Sequence, residues 1–321
     1  MRVFLTGATG FIGGEVARLL RERGDDVRVL VRTPAKADAL QALGCELVAG
    51  DLSDEPALRT ALTGCDAVVH CAAVYEVGVL DSDRERLVGA NVRGTERVLG
   101  AALAAGVSKA VYVSTVAVFG DTKGQVADEQ WERTEGQAFT SVYEQTKVEA
   151  HERAQQIGAQ GLPLVVVQPG VVYGPGDHSE VGGLFDRLLK GRLPLVPFPE
   201  MGITPVHRDD VAAGVVLALD KGVAGQSYVL AGEPTTMGDL IRALARVAGK
   251  RAPLGALPPV LVKAMVPVGR FVGPLLGFPP NLRELLSSSH GVTFWARSDK
   301  AQGELGWTHR PLDEGLRTVL P

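Results

Sequence analysis

Cysteine is scarce. The 321 residues include three, Cys45, Cys65 and Cys71, and none stands in a CxxC or Cys/His ligand spacing. A disulfide frame and a zinc or other metal site are therefore not expected, and the three read as buried thiols in a reducing compartment. An excess of one charge is also missing. Lys and Arg number 33 against 37 Asp and Glu, a formal net charge of −4, so nothing pulls the chain at long range to nucleic acid or an anionic membrane. Unbroken hydrophobic runs are absent as well. The most apolar long stretch, residues 254–278, is interrupted by Lys263 and Arg270 and broken by Pro258, Pro259, Pro267 and Pro274, which argues against an integral membrane span. It reads as a helical subdomain with broken helices; sharper readings are an apolar lid over a greasy substrate or a surface resting on a bilayer. Met1-Arg2 leads straight into Val3-Phe4-Leu5 without a basic n-region or cleavage site, so a cytoplasmic location is expected.

What is present is glycine, with 39 residues, and a soluble balance of 45% hydrophobic and 22% charged residues. Glycine in such number suggests backbone that approaches a ligand closely. Short β-branched runs alternate with helical patterns: strands at 2–5, 27–31, 46–49, 67–71, 109–114 and 164–168, helices at 12–23, 35–43, 55–62, 87–105 and 142–157. Near-continuous apolar strands such as Val165-Val166-Val167 fit a parallel sheet covered on both faces. The expected fold class is α/β, a Rossmann-type doubly wound parallel sheet with a smaller, mostly helical C-terminal substrate lobe. Residues 1–170 form the nucleotide-binding domain, with a return strand and helix near 206–230; residues 171–205 and 231–321 form the substrate-binding lobe.

Thr6-Gly7-Ala8-Thr9-Gly10-Phe11-Ile12-Gly13 follows the first strand and opens a helix. Glycines three apart let the turn tighten and a pyrophosphate approach the helix N-terminus, so Gly7, Thr9, Gly10, Phe11 and Ile12 are candidate cofactor contacts. At the end of the second strand stands Arg32, with Lys36 close behind, where a carboxylate would hold a ribose 2′-hydroxyl. A guanidinium suits the 2′-phosphate of NADP(H), and NAD(H) is the lesser candidate. Asp51, with Leu52 beside it, is placed to accept from the adenine amino group. Cys71-Ala72-Ala73 ends the fourth strand with the small residues that close passage of a cofactor requires.

Tyr143 and Lys147 stand four apart, on one helix face. A fixed cation one turn away stabilises a phenolate, which makes proton exchange with a carbonyl or alcohol feasible. The strand end Val113-Ser114-Thr115 supplies a hydroxyl that can orient the substrate oxygen. With these motifs the chain resembles the extended short-chain dehydrogenases/reductases of the NAD-dependent epimerase/dehydratase superfamily. The resemblance also covers Asn91-Val92-Arg93-Gly94-Thr95, residues 169–176 and Val206-His207-Arg208-Asp209-Asp210-Val211. It implies Thr115, Tyr143 and Lys147 as the catalytic set, with Ser114 a neighbouring structural hydroxyl. It also implies that Asn91 helps position the cofactor, that Pro169, Gly170 and Val172 line the nicotinamide, and that His207 is structural.

Three departures narrow the chemistry. Sugar-nucleotide 4,6-dehydratases carry Asp-Glu after the catalytic Thr; here Val116-Ala117 stands there, which removes the acid and base of that elimination. Nucleotide-sugar epimerases usually bring an Arg four residues before the His of the VH motif. Here that position is Ile203, which weakens an epimerase, although Arg192, Arg270, Arg283 or Arg297 could substitute. Arg32 resembles the NADP-using dihydroflavonol and cinnamoyl-CoA reductases, and the apolar 254–278 stretch points to an apolar substrate. The expected activity is NADP(H)-dependent reduction of a ketone or aldehyde, or oxidation of the alcohol, with transfer of the pro-S hydride. A nucleotide-sugar epimerase is the alternative. A non-catalytic NADP-binding sensor is the third reading, although such proteins usually lose the Tyr or the Lys. The resemblance leaves a homodimer open, packed through the helices at 87–105 and 142–157.

Overall fold

The computed structural model describes residues 1–275 and 277–321; Leu276, inside the apolar 254–278 stretch, lies outside the described residues. Seven strands form one sheet. They are β1 (Arg2–Thr6), β2 (Asp26–Val31), β3 (Glu46–Ala49), β4 (Ala67–His70), β5 (Lys109–Val113), β6 (Leu164–Pro169) and a last strand, Ser227–Leu230. All neighbours run parallel, in the order Ser227–Leu230, β6, β5, β4, β1, β2, β3. The winding reverses at β1, whose neighbours are β2 and β4. A crevice opens at the C-terminal ends of strands on either side of such a switch, and ligands bind there. Thr6 of β1 stands opposite His70 of β4, so the segments that follow both strands leave the sheet side by side.

Side chains alternate across each strand and both faces are filled. Val3, Leu5, Val69 and Val111 pack with Val16 and Leu20 of the helix Phe11–Glu22 and with Val211 and Val215 of the helix Arg208–Lys221. Phe4, Val68, Tyr112 and Val166 pack with Leu58, Leu99, Ala150 and Ala154 on the other face. Full burial of each larger apolar side chain is worth roughly 1.5–3 kcal/mol, so the sheet is the rigid base of the site.

The helix expected at 35–43 is split. A 3₁₀ turn, Pro34–Lys36, precedes the short helix Asp38–Ala42, because Ala37 between them adopts a non-helical φ of −114°. The helix expected at 87–105 starts earlier and has three parts: Arg84–Val88, a π turn Gly89–Arg93, and Gly94–Ala105. Beyond β6 the strands are very short. Val171–Tyr173 pairs with Pro205–His207, Gly202–Ile203 with Thr235–Thr236, and Leu195–Pro197 with Gly255–Leu257. Around them the helices Glu180–Leu189 and Met237–Val247 bury Leu184, Ile203, Leu240 and Leu244 in a separate core.

The thiols correct one expectation. Only Cys45 is buried; Cys65 and Cys71 are half-buried, Cys65 because it stands in the turn before β4 and Cys71 because it stands just past that strand's end. Among the described residues no helix is long and apolar enough to cross a membrane.

Candidate active site

The glycine loop is shaped by close approaches. Gly7 has a φ of 77°, and a Cβ on it would lie 2.7 Å from the Ala72 nitrogen. The loop is thereby pressed against Cys71-Ala72, which the Thr6 hydroxyl also holds by accepting from the Ala72 N–H at 3.3 Å. A Cβ on Gly13 would lie 2.2 Å from the Gly7 carbonyl oxygen, so the helix packs directly on the loop. Gly10 stands at the N-cap of Phe11–Glu22 with no side-chain capping bond. The first-turn N–H groups therefore remain available to an anion, and the helix dipole favours one. These features fit a dinucleotide pyrophosphate over Gly7, Thr9, Gly10, Phe11 and Ile12. Gly174, past β6, lies against Phe11: its Cβ would stand 3.6 Å from the ring.

Arg32 and Lys36 are both exposed just beyond β2. Asp51, past β3, accepts from the Ser53 N–H at 2.7 Å and its hydroxyl at 2.5 Å. These bonds hold its carboxyl below the usual range, with the Arg32 charge adding to the effect. Leu52 packs over Gly94, where a Cβ would come within 2.8 Å of its Cδ1. At the end of β6, a Cβ on Gly170 would lie 2.1 Å from the Thr204 carbonyl oxygen. The glycine lets Pro169 and Val172 bend past the strand end.

The helix Val142–Ala159 carries the Tyr/Lys pair. Ser141 caps it by accepting from the Glu144 N–H at 3.0 Å, and the Glu144 carboxylate accepts from the Thr140 N–H at 2.7 Å, a reciprocal arrangement close to a capping box. Arg133 closes the cap with an ion pair to Glu144. The Val142 N–H donates to Glu284 at 2.8 Å, which anchors the helix start to the C-terminal segment. Lys147 is buried, and its Nζ donates to the Val113 carbonyl at 3.1 Å and the Tyr112 hydroxyl at 3.2 Å. Tyr112 stacks on His70, centroids 5.6 Å apart. His70 bridges Thr6 and Thr95 at 2.7 and 3.0 Å. Burial, then the nearby Lys147, pushes its imidazole down to about 3, so it stays neutral beneath the cation.

Thr115 opens the turn Val116–Phe119, its hydroxyl accepting from the Ala117 N–H at 3.2 Å. Burial raises the Tyr143 phenol above its ordinary value, while the Lys147 charge and a hydrogen bond with Thr115 pull it down. The expected downward pull of Lys147 is thus present and outweighed. Burial likewise lowers the Lys147 ammonium, against the pull of Tyr143 and Cys71, and pushes the Cys71 thiol up to about 12. Ser114 is turned away, bonded to His151 at 3.0 Å. His207 is buried between Asp209 and Thr318, its Nδ1 accepting from the Asp209 N–H at 3.2 Å.

Asn91 ties the two halves of the site. Its Oδ1 accepts from the Val74 N–H at 2.7 Å, and its Nδ2 donates to the Val74 carbonyl and the Thr146 hydroxyl, each at 3.0 Å. The loop after β4 is thereby fastened to Thr146, the residue next to Lys147. That loop carries Tyr75, whose ring stands edge-on to Tyr143 with centroids 4.8 Å apart. Tyr75 and Tyr112 were not singled out by sequence. Tyr112 shares a strand face with Ser114, two residues on, so period-two reading could have found it; Tyr75 lies in a loop with no periodic signal.

Residues 3–231 match the NAD dependent epimerase/dehydratase family. The chain belongs to that family. Among its relatives, a Synechocystis sp. protein named after dihydroflavonol 4-reductase is 34% identical over 99% of this chain and 93% of its own length. A Stigmatella aurantiaca protein is 30% identical over 100% of this chain and 97% of its own; its name is 4-hydroxy-2-methyl-3-oxo-4-farnesyl-3,4-dihydroquinoline-1-oxide ketoreductase. The crystal structure of gox2253 superposes with a TM-score of 0.84 at 34% identity, covering 99% of this chain and 96% of that one. Membership in the epimerase/dehydratase family makes this chain an enzyme of the oxidoreductase and epimerase type, on a sheet built for a nicotinamide dinucleotide.

Proposed function

We propose that the chain is an NADP(H)-dependent oxidoreductase that reduces a ketone or aldehyde group of an apolar small molecule, or oxidises the corresponding alcohol. The observation that carries this reading is the convergence of Tyr143, Lys147 and Thr115 at the C-terminal edge of the sheet, beside the glycine loop. The bound nicotinamide supplies the hydride. Tyr143 gives its proton to the carbonyl oxygen, and the Thr115 hydroxyl holds that oxygen in line with the phenol. Lys147 stabilises the charge left on Tyr143 and reaches the ribose hydroxyls. Gly7, Thr9, Gly10, Phe11 and Ile12 take the pyrophosphate, Asp51 and Leu52 the adenine. Arg32 and Lys36 take the 2′-phosphate, and Pro169, Gly170 and Val172 flank the nicotinamide with Cys71, Ala72 and Ala73. In this reading residues 171–205 and 231–321 form the substrate lobe.

Support for an apolar carbonyl substrate comes from the relatives named for ketone reduction. Nucleotide-sugar epimerisation has less support. Ile203 is fully buried where a cation would be needed, and Arg297 is committed to Asp128; an unneutralised pyrophosphate there would be costly. The test is NADPH oxidation with a panel of apolar ketones and aldehydes and a parallel panel of nucleotide sugars. Tyr143→Phe should lower carbonyl reduction at least 100-fold while NADPH affinity stays within about twofold. A variant that retains turnover, or a wild type active only on nucleotide sugars, refutes the assignment.

A further inference from the structure

The segment that follows Met237–Val247 has a composition unlike the rest of the chain. From residue 240 to residue 283 there are seven Lys and Arg and no Asp or Glu, in a chain whose net charge is −4. All seven are exposed. Arg242 and Arg246 have carboxylate partners in Asp239 and Asp313; among the described residues Lys250, Arg251, Lys263, Arg270 and Arg283 have none. The same segment holds half of the exposed large apolar side chains of the described residues: Leu254 at 92%, Phe271 at 75% and Val260 at 68%, with Leu261 and Val268. Helix geometry separates these from the core. In the helix Pro259–Met265, Val262 points inward onto Phe198 and Leu282, while Val260, Leu261 and Lys263 point out. Leu282 belongs to the helix Leu282–Ser289, whose Glu284 anchors the Tyr143 helix. At the other end of the patch, Pro279 presses on Gly78, in the loop that carries Tyr75.

We propose that the face formed by residues 250–271 docks on an anionic lipid bilayer. Apolar side chains protruding beside unpaired cations are the pattern of an interfacial helix, which buries the former at the acyl boundary and sets the latter at the head groups. The cationic stretch also explains why the occupant is a lipid surface and not a second copy. Two such faces brought together would oppose their own uncompensated charges. The overall negative charge conceals this, because the acidic residues lie elsewhere in the chain. Docking here sets the lipid phase beside the Tyr75 loop, a short path for an apolar substrate to Tyr143. The binding itself is independent of the proposed reduction and is measured without turnover.

The experiment is co-sedimentation of the full chain with vesicles of phosphatidylcholine alone or with 30% phosphatidylglycerol, at about 0.1 and 0.5 M salt. The wild type should pellet with the anionic vesicles and be released by the higher salt. Lys263→Glu/Arg270→Glu should weaken binding by on the order of 30-fold or more, and Leu261→Ser/Phe271→Ser should weaken it at the lower salt. Arg59→Glu/Lys123→Glu, charges remote in sequence from the patch, should bind like wild type. A wild type that stays in the supernatant, or a Lys263/Arg270 variant that pellets unchanged, overturns the proposal. So does a wild-type dimer that Leu261→Ser/Phe271→Ser splits into monomers, since the face would then be covered by a second copy.

Discussion

Asn91 offers a sharp test of how the site is held together. Replacing it with Leu keeps the approximate volume and removes three hydrogen bonds at once, those to the Val74 N–H, the Val74 carbonyl and the Thr146 hydroxyl. Thr146 loses little, since its hydroxyl still donates to the Tyr143 carbonyl at 2.9 Å. The two Val74 groups are left without partners in a half-buried loop, and each orphaned group costs about 1–3 kcal/mol. Partial access to water favours the lower part of that range, so the expected loss is about 2–4 kcal/mol. For a chain of this size each kcal/mol is worth about 1.5 °C, and melting should fall by roughly 3–6 °C. The loop that relaxes carries Tyr75, so kcat for carbonyl reduction should fall by more than the affinity for NADPH. The assay is a thermal melt together with steady-state kinetics at saturating cofactor. A variant melting within about 1 °C of wild type would show that Asn91 does not fasten the loop to the helix.

Arg32→Asp should move preference from NADPH towards NADH, by lowering NADPH affinity at least tenfold; equal ratios of kcat/KM before and after would show that Arg32 does not read the phosphate. Gly13→Ala should weaken nucleotide binding at least tenfold in calorimetry, because the new Cβ would meet the Gly7 backbone oxygen at 2.2 Å and backbone cannot swing aside. Unchanged affinity would refute the packing role. His70 carries a pH signature. Its folded pKa of about 3 lies below the ordinary value of about 6.5, so the unfolded chain binds the extra proton and stability falls as pH drops below about 6.5. Between pH 7 and 5 the wild type should lose about 2 kcal/mol more than His70→Gln in urea unfolding; parallel losses would place the histidine outside the core.

The candidate nucleotide half of the site can be put forward from sequence because its signals are local. A glycine loop, an arginine at a strand end and a Tyr/Lys pair one turn apart each declare themselves within eight residues, and the apolar strands between them fit a parallel sheet. What escaped reading is set at long range. The Val142 N–H finds its carboxylate in Glu284, 142 residues away, and nothing near either residue announces it. The strand Gly255–Leu257 exists because Leu195–Pro197 lies beside it, and three residues carry no period. Tyr112 and His70 read as ordinary strand positions. Their polar edges matter only once Lys147 is laid over them. The short helix Asp38–Ala42 differs from expectation for a local reason, since Pro34 starts a tight turn before the helix can form.

Burial bears on the direction of the chemistry. A phenol that must act as a base needs its proton removed first, and the low-polarity surroundings of Tyr143 raise the cost of that charge more than Lys147 and Thr115 lower it. The same surroundings weaken the hold of Lys147 on its own proton, so tighter enclosure cannot raise the cation's influence without also eroding the cation. The Val113 carbonyl and the Tyr112 hydroxyl accept from Lys147 and so oppose that loss, while the neutral His70 adds no competing charge below. The phenol, raised by burial, is protonated at neutral pH. That is the state in which Tyr143 can donate to a carbonyl oxygen, and Lys147 is then in place to stabilise the phenolate that donation leaves. Alcohol oxidation would have to begin from that phenolate, the state that burial disfavours. In the proposed reaction, the side chains around Tyr143 thus keep the proton on the group that would give it during reduction.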